Sequence, residues 1–294
     1  MTATETIHVT APALPPGYLV AVPGRGEVFV RTLDEAQSGP PVVLLHGWMA
    51  NADLNWFSVF EPLGATHRVI APDLPGHGRS SLHPRPMALE AVADDIAALL
   101  RRLDAVPAVV VGYSLGSSVA QLVAHRHPEV VVGLVLGGGE LMPAERVREK
   151  VELRLGGWLG SVQRLSEGRW LAQRLVNKAV RETPDVERLR PWLVGELERG
   201  HPGSIRAAGR AMGRFDGRAA AAGRRCPASV ILTTRDHIVP ADRQRRLARA
   251  WDATVFEIDA DHDAPVAQCG PFADAVVAAV ADVVRRSSVP GGEA

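Results

Sequence analysis

The segment GYSLG at 112 to 116 sets Ser114 between two glycines, directly after the apolar run Ala108 to Tyr113 and before a stretch with helical character. Where a buried strand turns sharply into a helix, a serine in a strained backbone conformation projects its hydroxyl above the strand ends. Only residues without a Cβ leave room on either side. The new helix also aims its first unbonded N–H groups at that point. A serine hydroxyl is a weak nucleophile near neutral pH, so Ser114 needs an imidazole to take its proton and a carboxylate to orient that imidazole.

Ten histidines are available, and position removes most of them. His125 and His127 end the helix after the serine, while His8 and His201 lie in an N-terminal arm and an inserted segment. His262, in DADHDAP at 259 to 265, follows the last expected strand, on the sheet edge where Ser114 emerges. Ligands and chemistry collect at that carboxyl edge of parallel strands. Asp236, in TTRDHIVP at 233 to 240, follows the preceding strand and is assigned as the acid; Glu140, one strand earlier, is the alternative acid. Asp259, Asp261 and Asp263 are read as solvated loop charges, too near His262 in sequence to orient its ring.

Two more segments belong at this edge. In HGW at 46 to 48, the Trp48 backbone N–H is expected to join that of Leu115 in binding an oxyanion, and His46 is read as a structural hydrogen-bonding residue. DLPGHGRS at 73 to 80 has the turn chemistry of a rigid loop that braces the site, without a catalytic assignment.

Strands and helices must alternate to bring these segments together. Gly26 to Leu33, Pro41 to Leu45, His67 to Leu74, Ala108 to Tyr113 and Val131 to Leu136 read as strands, several of them continuous apolar runs suited to burial on both faces. Helices are expected over Ala88 to Leu103 and from Leu115 to His127, where Pro128 stops the second. The rhythm predicts a doubly wound, mostly parallel α/β sheet. It breaks after Gly137, resumes at Ala228 to Thr233, and continues through a helix at Asp242 to Trp251, a strand at Thr254 to Ile258 and a closing helix from Pro271 to Arg285. The expected domains are a flexible arm over 1–17, a core over 18–139 and 226–286, a helical cap over 140–225 and a flexible tail over 287–294.

Composition narrows the function classes. The chain has 33 basic and 33 acidic residues, so it carries no net charge to attract nucleic acid or an anionic bilayer. Cys226 and Cys269 have no paired spacing, which speaks against a disulfide framework or zinc site and for buried thiols in a reducing compartment. The start of the chain lacks a signal-peptide pattern and no run of apolar residues is long enough to span a bilayer, so a soluble cytoplasmic protein without an integral membrane segment is expected. The neutral total conceals a division: residues 140–225 hold sixteen Arg and two Lys against nine Glu and two Asp, a net of +7, which leaves −7 on the remainder. Solvated, ion-paired helix faces account for this. The alternative is a basic lid that favours anionic esters, acyl-thioesters of phosphate-bearing carriers, or docking to an anionic surface.

Taken together, HGW, DLPGHGRS, GYSLG, the aspartate of TTRDHIVP and the histidine of DHDAP resemble the α/β-hydrolase superfamily from about Gly26 to Arg285. The resemblance implies a bacterial serine hydrolase of the carboxylesterase type with a helical cap, acting on a small-molecule ester or thioester without metal or cofactor. Asp261 stands where relatives often carry glycine, and Ser117 and Ser118 where several carry small glycines. A serine at the elbow points away from the haloalkane dehalogenases and epoxide hydrolases of this fold, which use aspartate there, and no HGGG run is present. Carboxylesterases, thioesterases, lactonases, C–C bond hydrolases and cofactor-free haloperoxidases remain, beside a slow-turnover ligand-sensing module on the same fold. Trp48, Trp56, Phe57, Trp158, Trp170 and Trp192 are expected either to line an apolar acyl pocket or to form ordinary core.

Overall fold

The structure is a computed structural model that describes residues 11–34, 39–81, 87–142 and 183–288. The first ten residues, the tail beyond 288 and the part of the expected cap that contains Trp158 and Trp170 lie outside the described residues.

Eight strands form one sheet: β1 (Gly17–Val22), β2 (Gly26–Leu33), β3 (Val42–Leu45), β4 (Val69–Pro72), β5 (Ala108–Tyr113), β6 (Val131–Gly137), β7 (Ala228–Thr233) and β8 (Thr254–Ile258), in the order β1-β2-β4-β3-β5-β6-β7-β8. β1 and β2 are antiparallel to each other and β2 to β4, whereas every pairing from β4 across to β8 is parallel. The apolar runs become the central strands because both faces are covered. Along β3, Val43 and Leu45 enter one core while Val42 and Leu44 enter the other, the two-residue period of a pleated strand. The first core is closed by α3 (Leu89–Arg102), α4 (Leu115–Arg126) and α8 (Ala241–Trp251). The second is closed by α1 (Ala52–Trp56), α2 (Phe60–Gly64) and α10 (Cys269–Ser287), which follows the short α9 (Ala264–Ala267).

β1 is the one strand of the sheet not expected from sequence. It is an edge strand whose apolar run over 18–22 is only half used, with Tyr18 and Leu19 in solvent and Val20 and Val22 in the first core. Gly17, assigned above to the arm, is its first residue, and the carbonyls of Pro15 and Pro16 just before it accept bonds from Arg31 Nη1 and the Thr32 N–H at 2.8 and 3.1 Å.

Between β6 and β7 the insertion forms a helical cap, described here as α5 (Pro184–Leu197), α6 (Pro202–Met212) and α7 (Arg218–Ala222). Val186, Leu189 and Leu193 recur at helical spacing on α5 and pack against Leu54 of α1, with Trp192 edge-on to Phe57 at 5.5 Å between ring centres. A polar seam runs beside this contact. Arg79 Nη2 lies 3.0 Å from Glu196 Oε1 of α5 and 3.0 Å from Asp53 Oδ2 of α1, Asn51 Nδ2 donates to Glu196 Oε2 at 2.8 Å, and Arg31 grips Asp53 with two bonds of 2.9 Å.

Removing one partner from such a seam leaves the remaining groups desolvated and short of a bond. Glu196→Ala is therefore expected to lower stability by about 2 kcal/mol, below the cost for a fully buried pair because Arg79 is partly exposed and keeps Asp53 as a partner. Urea unfolding measures it, and an unchanged midpoint would show that the seam does not hold the cap.

Candidate active site

The turn from β5 into α4 is the tight elbow that the glycine spacing implies. Ser114 has φ +54° and ψ −114°, a conformation uncommon for a residue with a side chain. A Cβ on Gly112 would sit 2.2 Å from the Gly116 carbonyl oxygen, and one on Gly116 would sit 2.0 Å from the Leu45 carbonyl oxygen. Both glycines are thus required by backbone contact. The Ser114 N–H donates to Gly137 O on β6 at 2.9 Å, which ties the elbow to the neighbouring strand.

His262, in the loop after β8, brings Nε2 to 3.0 Å from Ser114 Oγ. Its Nδ1 lies 2.8 Å from Asp236 Oδ2, so the structure joins the three side chains in one hydrogen-bonded line. Asp236 is buried with both oxygens occupied. Oδ1 accepts the N–H groups of Ile238 and Val239 at 2.9 and 2.8 Å, while Oδ2 also accepts from Thr233 Oγ1 and Gln244 Nε2 at 2.7 and 3.2 Å. These bonds satisfy the carboxylate and leave it one direction in which to hold the ring. Glu140, the other carboxylate considered, is ion-paired to Arg243 Nη1 at 3.1 Å and makes no hydrogen bond to His262.

The loop after β3 passes beside the serine: a Cβ on Gly47 would lie 3.4 Å from Ser114 Cβ. The Gly47 N–H donates to Asn55 Oδ1 at 2.9 Å, and Met49 turns the chain with φ +64°. The N–H groups of Trp48 and Leu115 have no acceptor among the described residues, the latter because it opens a helix. The Trp48 indole N–H donates to Ile205 O of α6 at 2.8 Å, so this loop also touches the cap. Trp56, by contrast, stacks on Phe272 inside the second core, and Trp192 packs in the seam between cap and core.

Several polar residues at the site had no assignment from sequence. Tyr113 donates its hydroxyl to His262 O at 2.9 Å, and Gln244 of α8 bridges Asp236, Thr233 and Val239 O. Gln244 shares the buried face of α8 with Leu247, Ala248 and Trp251, and its place in that helical spacing is the sequence signal that could have marked it. Asp261 corrects an expectation: it is buried, not solvated, and its Oδ1 accepts the His262 N–H at 2.7 Å. Among the described residues, no group of three or more His, Cys, Asp or Glu is placed to hold a metal ion, and no helix is long and apolar enough to cross a membrane.

Comparison with known proteins follows from this geometry. Residues 40–266 match the family described as alpha/beta hydrolase fold. The chain is 34% identical over 247 residues, 81% of its length and 91% of the relative's, to the pimeloyl-[acyl-carrier protein] methyl ester esterase of Chromobacterium violaceum. Among solved structures it resembles a thermophilic esterase from Thermogutta terrifontis, with a TM-score of 0.71, 25% identity and coverage of 93% of this chain and 100% of that one. An enol-lactonase from Burkholderia xenovorans LB400 matches with a TM-score of 0.75 at 22% identity, over 90% of this chain and 100% of the other.

Two further histidines brace the site from below. His46 accepts the Leu74 N–H at Nε2 (2.9 Å) and donates from Nδ1 to Gly47 O (2.8 Å), the structural role expected of it, while His77 donates from Nδ1 to Pro75 O at 3.2 Å. Burial, with His77 close by, pushes His46 down to about 3, and burial pushes His77 down to about 4, both from an ordinary 6.5. The unfolded chain therefore takes up two protons near pH 6.5 that the folded chain refuses. Stability rises with pH wherever the unfolded state binds more protons, so it is lost as pH falls below about 6.5. These two rings alone are expected to cost about 2.5 kcal/mol between pH 7 and 5.5. Urea unfolding at both values checks this, with His77→Phe expected to halve the loss.

Proposed function

Starting from a chain that belongs to the α/β-hydrolase family and is a hydrolytic enzyme, we propose that it cleaves a carboxylic ester through an acyl-enzyme intermediate. The observation that carries this reading is the unbroken line Ser114 Oγ, His262, Asp236 beneath a serine with positive φ. Asp236 keeps a proton on Nδ1, which leaves Nε2 as the acceptor for the serine proton. Ser114 attacks the carbonyl carbon, and the negative charge that forms on the carbonyl oxygen is taken up by the Trp48 and Leu115 N–H groups. The imidazolium, stabilised by Asp236, protonates the departing alcohol. Water then enters and bonds the acyl carbon as it gives a proton to His262, and the imidazolium returns that proton to Ser114 Oγ as the acyl–oxygen bond breaks and the acid leaves.

For the substrate we favour an ester whose acyl chain is borne by an anionic carrier. The esterase relative, matched over nearly its whole length, acts by its name on a methyl ester attached to an acyl-carrier protein. The basic balance of residues 140–225 suits an acidic partner, and Arg210 and Arg214 are exposed one helical turn apart along and just beyond α6.

Ser114→Ala should abolish ester hydrolysis and labelling by a fluorophosphonate probe while the protein stays folded; surviving label would remove Ser114 from the role. Asp236→Asn should lower kcat by up to about four powers of ten through the wrong histidine tautomer, whereas Glu140→Gln should change it little. For the carrier, kcat/KM toward an anionic ester should fall as salt rises from 0.01 to 0.1 M, where the Debye length shrinks from ~30 to ~10 Å, and that toward a neutral ester of equal acyl length should stay flat. Two equally flat lines would leave the cap charge without a part in substrate choice.

A further inference from the structure

The dipeptide Asp-His occurs at 236–237 in the loop after β7 and again at 261–262 in the loop after β8, and the fold crosses the two. Asp236 binds Nδ1 of His262 at 2.8 Å, and Asp261 binds Nδ1 of His237 at 2.6 Å. The same Asp261 Oδ1 also accepts the backbone N–H of His262 at 2.7 Å and that of His237 at 3.1 Å. One carboxylate oxygen therefore gathers three donors from two loops. Its setting is not that of a surface charge, because the Asp261 side chain is 9% exposed whereas His237 is 62% exposed. From the opposite side, the Tyr113 hydroxyl holds His262 O. The backbone of His262 is thus fixed at its N–H by Asp261 and at its carbonyl by the residue before Ser114.

We propose that Asp261, closed over by His237, is a positioning residue that sets the distance between the loop carrying Asp236 and the loop carrying His262. The proposal rests on the reading of His262 as the base. Charge-assisted bonds to ionised oxygens are about twice as strong as neutral ones. Three of them on one atom hold the two loops in register before substrate arrives. The consequence is kinetic, since a misplacement of the imidazole by about 1 Å can cost ~100-fold in rate while substrate binding is untouched. His237 donates from Nδ1 whether its ring is neutral or protonated, so the clamp does not depend on the charge of that ring.

The test uses the intact chain with a short-chain nitrophenyl ester, and reads kcat, KM and the rate of fluorophosphonate labelling of Ser114, with thermal melting in parallel. Asp261→Ala should lower kcat and the labelling rate together by ~10- to 100-fold with KM unchanged. His237→Ala should lower both by a smaller factor. His237→Asn, whose amide N–H can replace the Nδ1 donor, should recover most of that loss. If Asp261→Ala does not fold, the His237 pair carries the test alone. Native kcat and labelling in Asp261→Ala, or a drop in melting temperature with kcat unchanged, would overturn the proposal. So would His237→Asn remaining as slow as His237→Ala. Ser114→Ala separates the two levels: hydrolysis that survives it defeats the reading of the site, whereas an inactive Ser114→Ala beside a native Asp261→Ala defeats only the clamp.

Discussion

Where β5 gives way to α4, backbone lies against backbone with no space for a side chain. The first turn of the helix rests on the end of β3, with the Gly116 Cβ position 2.0 Å from the Leu45 carbonyl oxygen, and folds back on its own strand at Gly112. This contact is what the rest of the site depends on. It forces Ser114 into its positive-φ conformation, lifts the side chain clear of the sheet and brings the loop after β3 against it. The elbow also sits on a central strand, flanked by β3 and β6, so the surrounding strands bear the strain on both sides.

Around that point the polar groups form a graded series. Asp236 is fully buried and fully bonded, His262 is partly exposed, and His237 faces water. The grading leaves the imidazole partly open while the carboxylate beside it stays shielded, where low polarity strengthens each hydrogen bond and penalises any that is missing. A second polar group links the loop after β3 to the cap. Asn51 caps α1 with Oδ1 and reaches Glu196 of the cap with Nδ2, while Asn55 of the same helix holds Gly47. A five-residue helix, too short to be stable alone, is kept in place by these side chains and by Asp73, which accepts the Ala52 N–H.

Much of the fold follows from the chain's local pattern. Continuous apolar runs such as VVLL and AVVVGY can satisfy two faces only inside a parallel sheet, and glycines around a serine at a strand end specify a sharp turn. Ser114, Asp236 and His262 follow the parallel strands β5, β7 and β8, which places all three at one sheet edge. The edge strand β1 was missed although 18–22 is a short apolar run, because such a run beside a Pro-rich segment does not by itself say whether it pairs with a sheet edge.

Which groups actually meet was decided by tertiary structure. Sequence alone left Asp236 and Glu140 both able to face the imidazole, and only the register of β6, β7 and β8 sends Glu140 to Arg243 and Asp236 to His262. Asp261 looked like a loop charge beside His262, yet its partner His237 lies 24 residues away, across a helix and a strand. The Tyr113 hydroxyl and His262 carbonyl meet across 149 residues. Local sequence specifies period, burial and turn type, because those depend on neighbours along the chain. A hydrogen bond between distant loops depends on strand register and loop length together, and it exists only once the sheet has formed.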